Sequence, residues 1–476
     1  MVQRTSPNSH TAQSTTSSAA DLRSHRISLA RSQGRVFCLQ GVTTTQVSIP
    51  ADSTAAAEQA RTQNLKKAAS ACFIGNFVEW FDYAAYGYLA TVIAVVFFPS
   101  ENALVGLMSA YAVFALSFMV RPLGGVFWGY IGDKYGRRPA LSWSILIMTM
   151  STVCIALLPG YATIGYAAPI GLLLLRLVQG FSASGEYAGA SAFLAEYAPK
   201  HQRGFYTSLV PASTSAGLLL GSLMVAGMYA FMSTEHLHEW GWRIPFLLAA
   251  PLGLIGRYIR LRLQETPEFA AQQESHVEKN TPIVELFRNH RKAMLIAFCV
   301  ACLNAVAFYM ILSYMPTYLS TELGMGKTES FVSATLSLLT YIGLIFFMGK
   351  LSDKFGRKTM LITASIVFIL ATVPLFSALQ GASFWAIVAI QIAFGFMLAI
   401  NDGSLPALLS ELFPTDVRYS GFAFTFNCAN ALLGGTAPLF ATWLIQETHN
   451  PMAPAWYLIA IAGVSLVALF SIKKLH

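Results

Sequence analysis

Charged side chains are what this sequence has least of. Only 11% of its 476 residues are Asp, Glu, Lys or Arg, against about 25% in a typical soluble domain, which argues against a soluble enzyme. Cysteine is sparse as well, and the six (Cys38, Cys72, Cys154, Cys299, Cys302, Cys428) mostly fall in apolar runs. Cys299-x-x-Cys302 lies inside one such run and does not open a helix beside a strand, so redox or metal chemistry is not expected there. None of the nine His lies in an apolar run, and there is neither a His-x-x-x-His pair nor a nucleophile elbow. No catalytic group, metal or cofactor is implied.

What is present in quantity is apolar. Hydrophobic residues make up 55% of the chain and the mean hydropathy is +0.54. A membrane helix needs ~20 mostly apolar residues, so the supply covers about a dozen spans of one polytopic membrane protein. The 35 Gly and 13% aromatic residues suit close helix packing and interfacial anchoring.

Residues 1–66 are rich in Ser, Thr, Ala and Gln, hold no long apolar run, and read as a disordered tail. Apolar segments of helical length then recur at about 68–98, 103–131, 140–159, 168–197, 204–232 and 243–261. After a charged stretch, six more follow at about 291–319, 329–349, 359–376, 383–413, 418–445 and 452–472. The expected organisation is a six-helix half over 67–262, a central loop over 263–290 and a second six-helix half over 291–476. All but four of the 31 Lys and Arg fall in alternate segments: Arg243 and Lys327 lie on the other side, and Arg121 and Arg176 lie within spans. By the positive-inside rule both termini are cytoplasmic, and the net charge of +8 marks topology and not a nucleic-acid partner.

The halves repeat. Gly129-Tyr-Ile-Gly-Asp133-Lys-Tyr-Gly136-Arg137-Arg138 between spans 2 and 3 recurs 220 positions later as Gly349-Lys-Leu-Ser-Asp353-Lys-Phe-Gly356-Arg357-Lys358 between spans 8 and 9. Glu196-x-x-Pro199-x-x-x-Arg203 after span 4 recurs 215 positions later as Glu411-x-x-Pro414-x-x-x-Arg418 after span 10. Two motifs at nearly one offset indicate duplication. Glycines permit a tight turn, at Gly132 and Gly136, while Asp133 can face a helix N-terminus and the basic residues can meet acids on the same surface.

These paired loops on a 6 + 6 pattern resemble the signature of the major facilitator superfamily over about residues 68–473. Further motifs resemble its metabolite:proton symporter family: Gly75-Asn76-Phe-Val-Glu79-Trp80-Phe-Asp82-Tyr83, Arg121-Pro122-Leu-Gly124-Gly125, Gly185-Glu186-Tyr187 and Glu239-Trp240-Gly241-Trp242-Arg243. Within that family, Tyr309-Met-x-x-x-Tyr314-Met315-Pro316 and Phe413-Pro414-Thr415-x-x-Arg418-Tyr419-Ser420 are most similar to carriers of proline and betaine osmolytes. The resemblance implies an all-α membrane protein with twelve transmembrane helices in two pseudo-symmetric halves, located in the inner membrane. It further implies that Asp133, Arg137 and Arg138, with Asp353, Arg357 and Lys358, stabilise one state of a rocking bundle. Glu196, Arg203, Glu411 and Arg418 join them as gating residues.

Six ionisable residues fall well inside spans: Glu79, Asp82, Arg121, Arg176, Glu186 and Asp402. Each is a functional candidate by default. At ~1.5 Å per residue, Glu79, Arg121, Glu186 and Asp402 lie about 16 Å deep, near the bilayer centre. Two cations against four acids leave an excess of negative charge that protons or a cationic substrate group must balance. Glu79, Asp82 and Glu186 are the first candidates for carrying the proton, with Asp402 and Arg176 in the same set. The planar fork of Arg121 suits a substrate carboxylate. Trp80, Tyr83, Tyr86 and Tyr187 flank the acids and suit an ammonium or quaternary ammonium group, and Asn401 stands where the 215 offset places the counterpart of Glu186. The expected partners are a small zwitterion of the proline or glycine betaine type, protons and the lipid bilayer, with no obligate protein partner. A carboxylic acid such as 2-oxoglutarate, citrate or shikimate is the alternative substrate, and a non-transporting receptor on the same fold is the alternative class.

Overall fold

The computed structural model describes residues 51–274 and 281–473. Residues 1–50 of the expected disordered tail lie outside that range. From Ala51 the chain is helical to Tyr88, so the tail reading does not extend to residue 66.

Residues 61–473 belong to one compact all-helical unit. Among the described residues, eleven helices are long and apolar enough to cross a membrane, and a bent pair, Thr62–Tyr88 and Ala90–Phe97, makes a twelfth. In chain order, that pair is span 1, followed by Leu104–Tyr135, Arg137–Leu157, Ala167–Tyr197, Lys200–Phe231 and Arg243–Leu261 as spans 2 to 6. Spans 7 to 12 are Arg291–Thr321, Thr328–Phe355, Arg357–Leu379, Phe384–Leu412, Arg418–Thr448 and Ala453–Phe470. Two short helices, Pro267–Glu274 and Pro282–Asn289, occupy the described parts of the central loop.

The repeated motifs differ in one respect from the expected loops. Spans 2 and 8 stay helical to Tyr135 and Phe355, so Asp133 and Asp353 project from helix ends. The connection to the next span is a single glycine, Gly136 at φ 115° and Gly356 at φ 92°. Those angles disfavour any residue with a Cβ. Gly132, read from sequence as a turn residue, is helical, and its missing side chain serves packing: a Cβ there would lie 1.9 Å from the Tyr419 ring.

Small residues set the other close approaches too. A Cβ on Gly129 would meet Ser420 Cα at 2.4 Å, and one on Gly217 would meet the Phe77 carbonyl at 2.5 Å, so spans 2 and 11 and spans 1 and 5 touch backbone to backbone. Span 1 turns by 69° after Tyr88. Wide π-type turns interrupt span 7 at Tyr309–Tyr314 and span 11 at Asn430–Gly434, a distortion frequent at functional sites. Tyr309 packs against Gly434, so the two irregular segments meet.

Candidate functional site

Two layers of buried charge occupy the bundle. One closes the end that carries the repeated motifs, and the other lies midway along the spans.

At the motif end, Asp133 accepts hydrogen bonds from the backbone amides of Tyr419 at 3.0 Å and Ser420 at 2.8 Å, in the first turn of span 11. Asp353 does the same with Gly204 at 2.8 Å and Phe205 at 2.9 Å, where span 5 begins. A carboxylate at a helix N-terminus meets unsatisfied amides and the positive end of the helix dipole. Each aspartate is steadied by an arginine four residues on, Arg137 at 3.1 Å and Arg357 at 2.8 Å. Both latches therefore join the first six spans to the last six. Arg137 also pairs with Glu196 at 3.0 Å and donates to the Thr415 carbonyl. Arg418 reaches Glu196 at 2.9 Å, while Arg357 and Arg203 lie 3.4 and 3.8 Å from Glu411. Lys358 ties span 9 to the chain end through the Ile472 carbonyl at 2.9 Å, and Arg138 donates to the Leu261 carbonyl.

The central loop adds acids that its sequence position did not single out. Glu268 pairs with both Arg203 and Arg418, the latter at 2.6 Å. Burial works to raise its pKa, but Arg418 and Arg203 outweigh burial and hold the carboxyl below its ordinary range. Glu265 accepts from the Arg138 amide at 3.1 Å, and burial lifts its carboxyl above the usual value.

Midway along the spans, three acids are each matched by an arginine. Glu79 pairs with Arg121 at 2.8 Å. Asp82 pairs with Arg176 at 2.7 Å and accepts from Gln179 at 2.8 Å, with Thr152 completing that network. Glu186 is held by two nitrogens of Arg260, one at 2.9 Å. Arg260 corrects the expected charge balance. By its place in the sequence it counts among the basic residues that mark topology, yet it is only 2% exposed and also donates to the Leu141 and Ala71 carbonyls. Gly75 makes room, since a Cβ there would lie 2.0 Å from the guanidinium. The legible signal was the row Gly253, Gly256, Arg260, three and four residues apart on one helix face.

The fourth acid, Asp402, is 1% exposed and has no cationic partner among the described residues. Asn304 from span 7 and Tyr341 from span 8 donate to its two oxygens. Neither residue stood out in the sequence, where uncharged polar residues within spans are common.

The structure divides the expected aromatic set. Trp80 and Tyr83 stay with Glu79 and Arg121: the guanidinium carbon lies 4.8 Å from the Tyr83 centroid, 6.0 Å from Trp80 and 4.4 Å from Phe118. Tyr86 instead covers Arg176 at 3.9 Å. Tyr187 stacks on Phe426 of span 11 at 4.4 Å and faces Asp402. Buried polar atoms without a hydrogen-bond partner cluster about Arg121: its own Nε, Glu79 Oε2, Trp80 Nε1 and the Tyr309 hydroxyl. Asn401 is buried with both side-chain polar atoms unpartnered. Such orphans cost about 1–3 kcal/mol each unless another group satisfies them.

A helical membrane bundle of duplicated halves, closed at one end by mirrored ion-pair latches and carrying an ionised, aromatic-walled midplane, defines a secondary transporter that alternates access. The chain belongs to the major facilitator superfamily, whose profile matches residues 72–338 and 298–474. It is 39% identical over 426 residues to the proline/betaine transporter of Salmonella typhimurium, covering 86% of this chain and 84% of that one. It is 39% identical over 430 residues to the glycine betaine/proline/ectoine/pipecolic acid transporter of Dickeya dadantii, with coverage of 86% and 83%. A putative proline/betaine transporter of Staphylococcus aureus is 38% identical over 406 residues, with coverage of 85% and 87%. Among solved structures, the proton:xylose symporter XylE superposes with a TM-score of 0.73 at 17% identity, over 87% of this chain and 97% of that one. These relatives are transporters and not enzymes.

Proposed function

We propose that this chain carries a small zwitterionic osmolyte of the proline or glycine betaine type together with protons, by alternating access. It does so in the inner membrane, with both termini cytoplasmic and the halves 67–262 and 291–476 joined by the loop 263–290. The observation that carries this reading is the Arg121–Glu79 pair inside its aromatic box, with unpartnered polar atoms on both residues. An internal ion pair of this kind has the charges of a zwitterion. A substrate carboxylate takes the fork of Arg121, and the substrate cation takes Glu79 and the faces of Trp80 and Tyr83. The exchange leaves the site's net charge unchanged and satisfies atoms that are now orphaned. The names of the relatives support the same substrate class.

A di- or tricarboxylate fits less well, because every embedded arginine among the described residues already has an acid. The latches at the motif end stabilise the form closed to the cytoplasm, and their parting opens the site inward. Uptake of labelled proline, glycine betaine, 2-oxoglutarate and citrate into proteoliposomes, with and without an inward proton gradient, tests the reading. Gradient-driven proline or betaine uptake is expected. Uptake of the carboxylates alone would overturn the substrate, and binding without accumulation would mark a receptor.

A further inference from the structure

We propose that Asp402 is the binding site of the transported proton, and that protonation there is passed to the contact between the halves through Tyr341 and Ser215. This rests on the symport reading above. The three embedded arginines neutralise Glu79, Asp82 and Glu186, which leaves one uncompensated negative charge in the middle of the bundle. A neutral zwitterion does not remove it, whereas one proton does. Among the described residues, Asp402 is the embedded acid without a cation, so the proton resides there whenever the site is sealed from water.

Its surroundings give the proton a mechanical consequence. When Asp402 is ionised, the Tyr341 hydroxyl donates to Oδ2 and Asn304 donates to Oδ1. Tyr341 then has no hydrogen left for its other neighbour, the buried Ser215 of span 5, and can only accept from that hydroxyl, which has no other hydrogen-bond partner. When Asp402 binds a proton at Oδ2, the direction of that bond reverses. The new carboxyl O–H donates to the phenol oxygen, and the phenol hydrogen turns to Ser215 Oγ. No bond other than the added O–H is made covalently, and the proton leaves by the same oxygen when the site opens to the far side. Protonation thus reverses the hydrogen bond between span 8 and span 5, on opposite halves, turning the Ser215 hydroxyl from donor to acceptor. The titratable groups facing Asp402 are Tyr341 from span 8 and Tyr187 from span 4; span 7 contributes the uncharged Asn304.

The test compares wild type, Asp402→Asn, Asp402→Glu and Tyr341→Phe in proteoliposomes, measuring gradient-driven accumulation of labelled proline and, separately, proline counterflow without a gradient across pH 5 to 9. Wild type that ignores the gradient fails the symport reading itself and is seen before any variant is made. Given a responsive wild type, Asp402→Asn is expected to lose accumulation while keeping counterflow, now flat with pH. Asp402→Glu restores accumulation in part, and Tyr341→Phe keeps coupling but moves the pH profile of counterflow. Accumulation by Asp402→Asn at the wild-type level would overturn the proposal. So would loss of counterflow together with accumulation in a protein that retains the wild-type unfolding midpoint, since Asp402 would then be the substrate's counter-charge. Should Asp402→Asn not fold, an unmoved pH profile in Tyr341→Phe is the overturning result.

Discussion

Spans 1, 2, 4 and 6 hold three carboxylates, each with its own guanidinium, while spans 7, 8 and 10 hold one carboxylate kept by an amide and a phenol. At the motif end the same two halves are near copies: Asp133 and Asp353 grip helix starts in the same way, with Gly204 and Tyr419 standing 215 positions apart. Duplication has been kept at the motif end, where both halves close, and lost midway along the spans, where the proposed substrate site lies. A site that binds a single asymmetric molecule gains nothing from two identical walls, so each wall is free to hold a different kind of charge.

Five changes probe that contrast. Arg260→Met should have the largest effect, about 3–5 kcal/mol, because it leaves Glu186 charged and alone in the core. A sharp fall in the thermal midpoint in detergent is expected, with most of it recovered in the Arg260→Met/Glu186→Gln double variant; an unchanged single variant would mean that the pair is dispensable. At the motif end, Gly132→Ala places a methyl group against the Tyr419 ring and should cost the closed form about 1–3 kcal/mol. Spin labels on the latch ends of spans 2 and 11 would then report longer distances, and Gly349→Ala should do the same between spans 8 and 5 if the latches are equivalent. Arg121→Lys keeps the charge but not the fork, and should raise the KM for proline about tenfold, near 1.4 kcal/mol; an unmoved KM would take Arg121 out of recognition.

Glu268 gives the smallest effect, about 0.5–1 kcal/mol for a partly exposed pair. Its carboxyl is held below the ordinary value of 4.5, against the upward pull of burial, by Arg418 and Arg203. Its contribution is therefore complete above that pH and is lost as pH falls through the lowered value. The difference in midpoint between wild type and Glu268→Gln should be constant near neutrality and close in acid, and a difference that grew in acid would contradict the sign.

Much of this was legible in the residues. Apolar run length gave twelve spans with ends within several residues of those observed, because the bilayer imposes one length on every helix. Asp133 facing amides of another helix could be anticipated from its position before Gly136 in a repeated motif. The pairing of the buried charges could not. Arg260 lies one residue before the end of span 6 and its neighbours Arg257 and Arg262 are basic, so composition alone assigns it to the membrane surface. Only the packing of Gly75 and Gly256 turns it inward. Tyr187 follows Glu186 in sequence yet points to Asp402, since adjacent helical residues face about 100° apart. Glu268 looked like one more loop charge because nothing local reveals that two arginines from different halves converge on it.

The glycine contacts between spans 2 and 11 limit the kind of motion available. Where a helix backbone sits within a methyl radius of its neighbour, with Tyr419 filling the notch left by Gly132, one surface cannot travel along the other without collision at the next side chain. Displacement parallel to the helices is blocked, and only separation perpendicular to them is free. The halves must pivot apart as rigid bodies about the opposite end, and a sliding, shear-type rearrangement is closed to this protein by geometry.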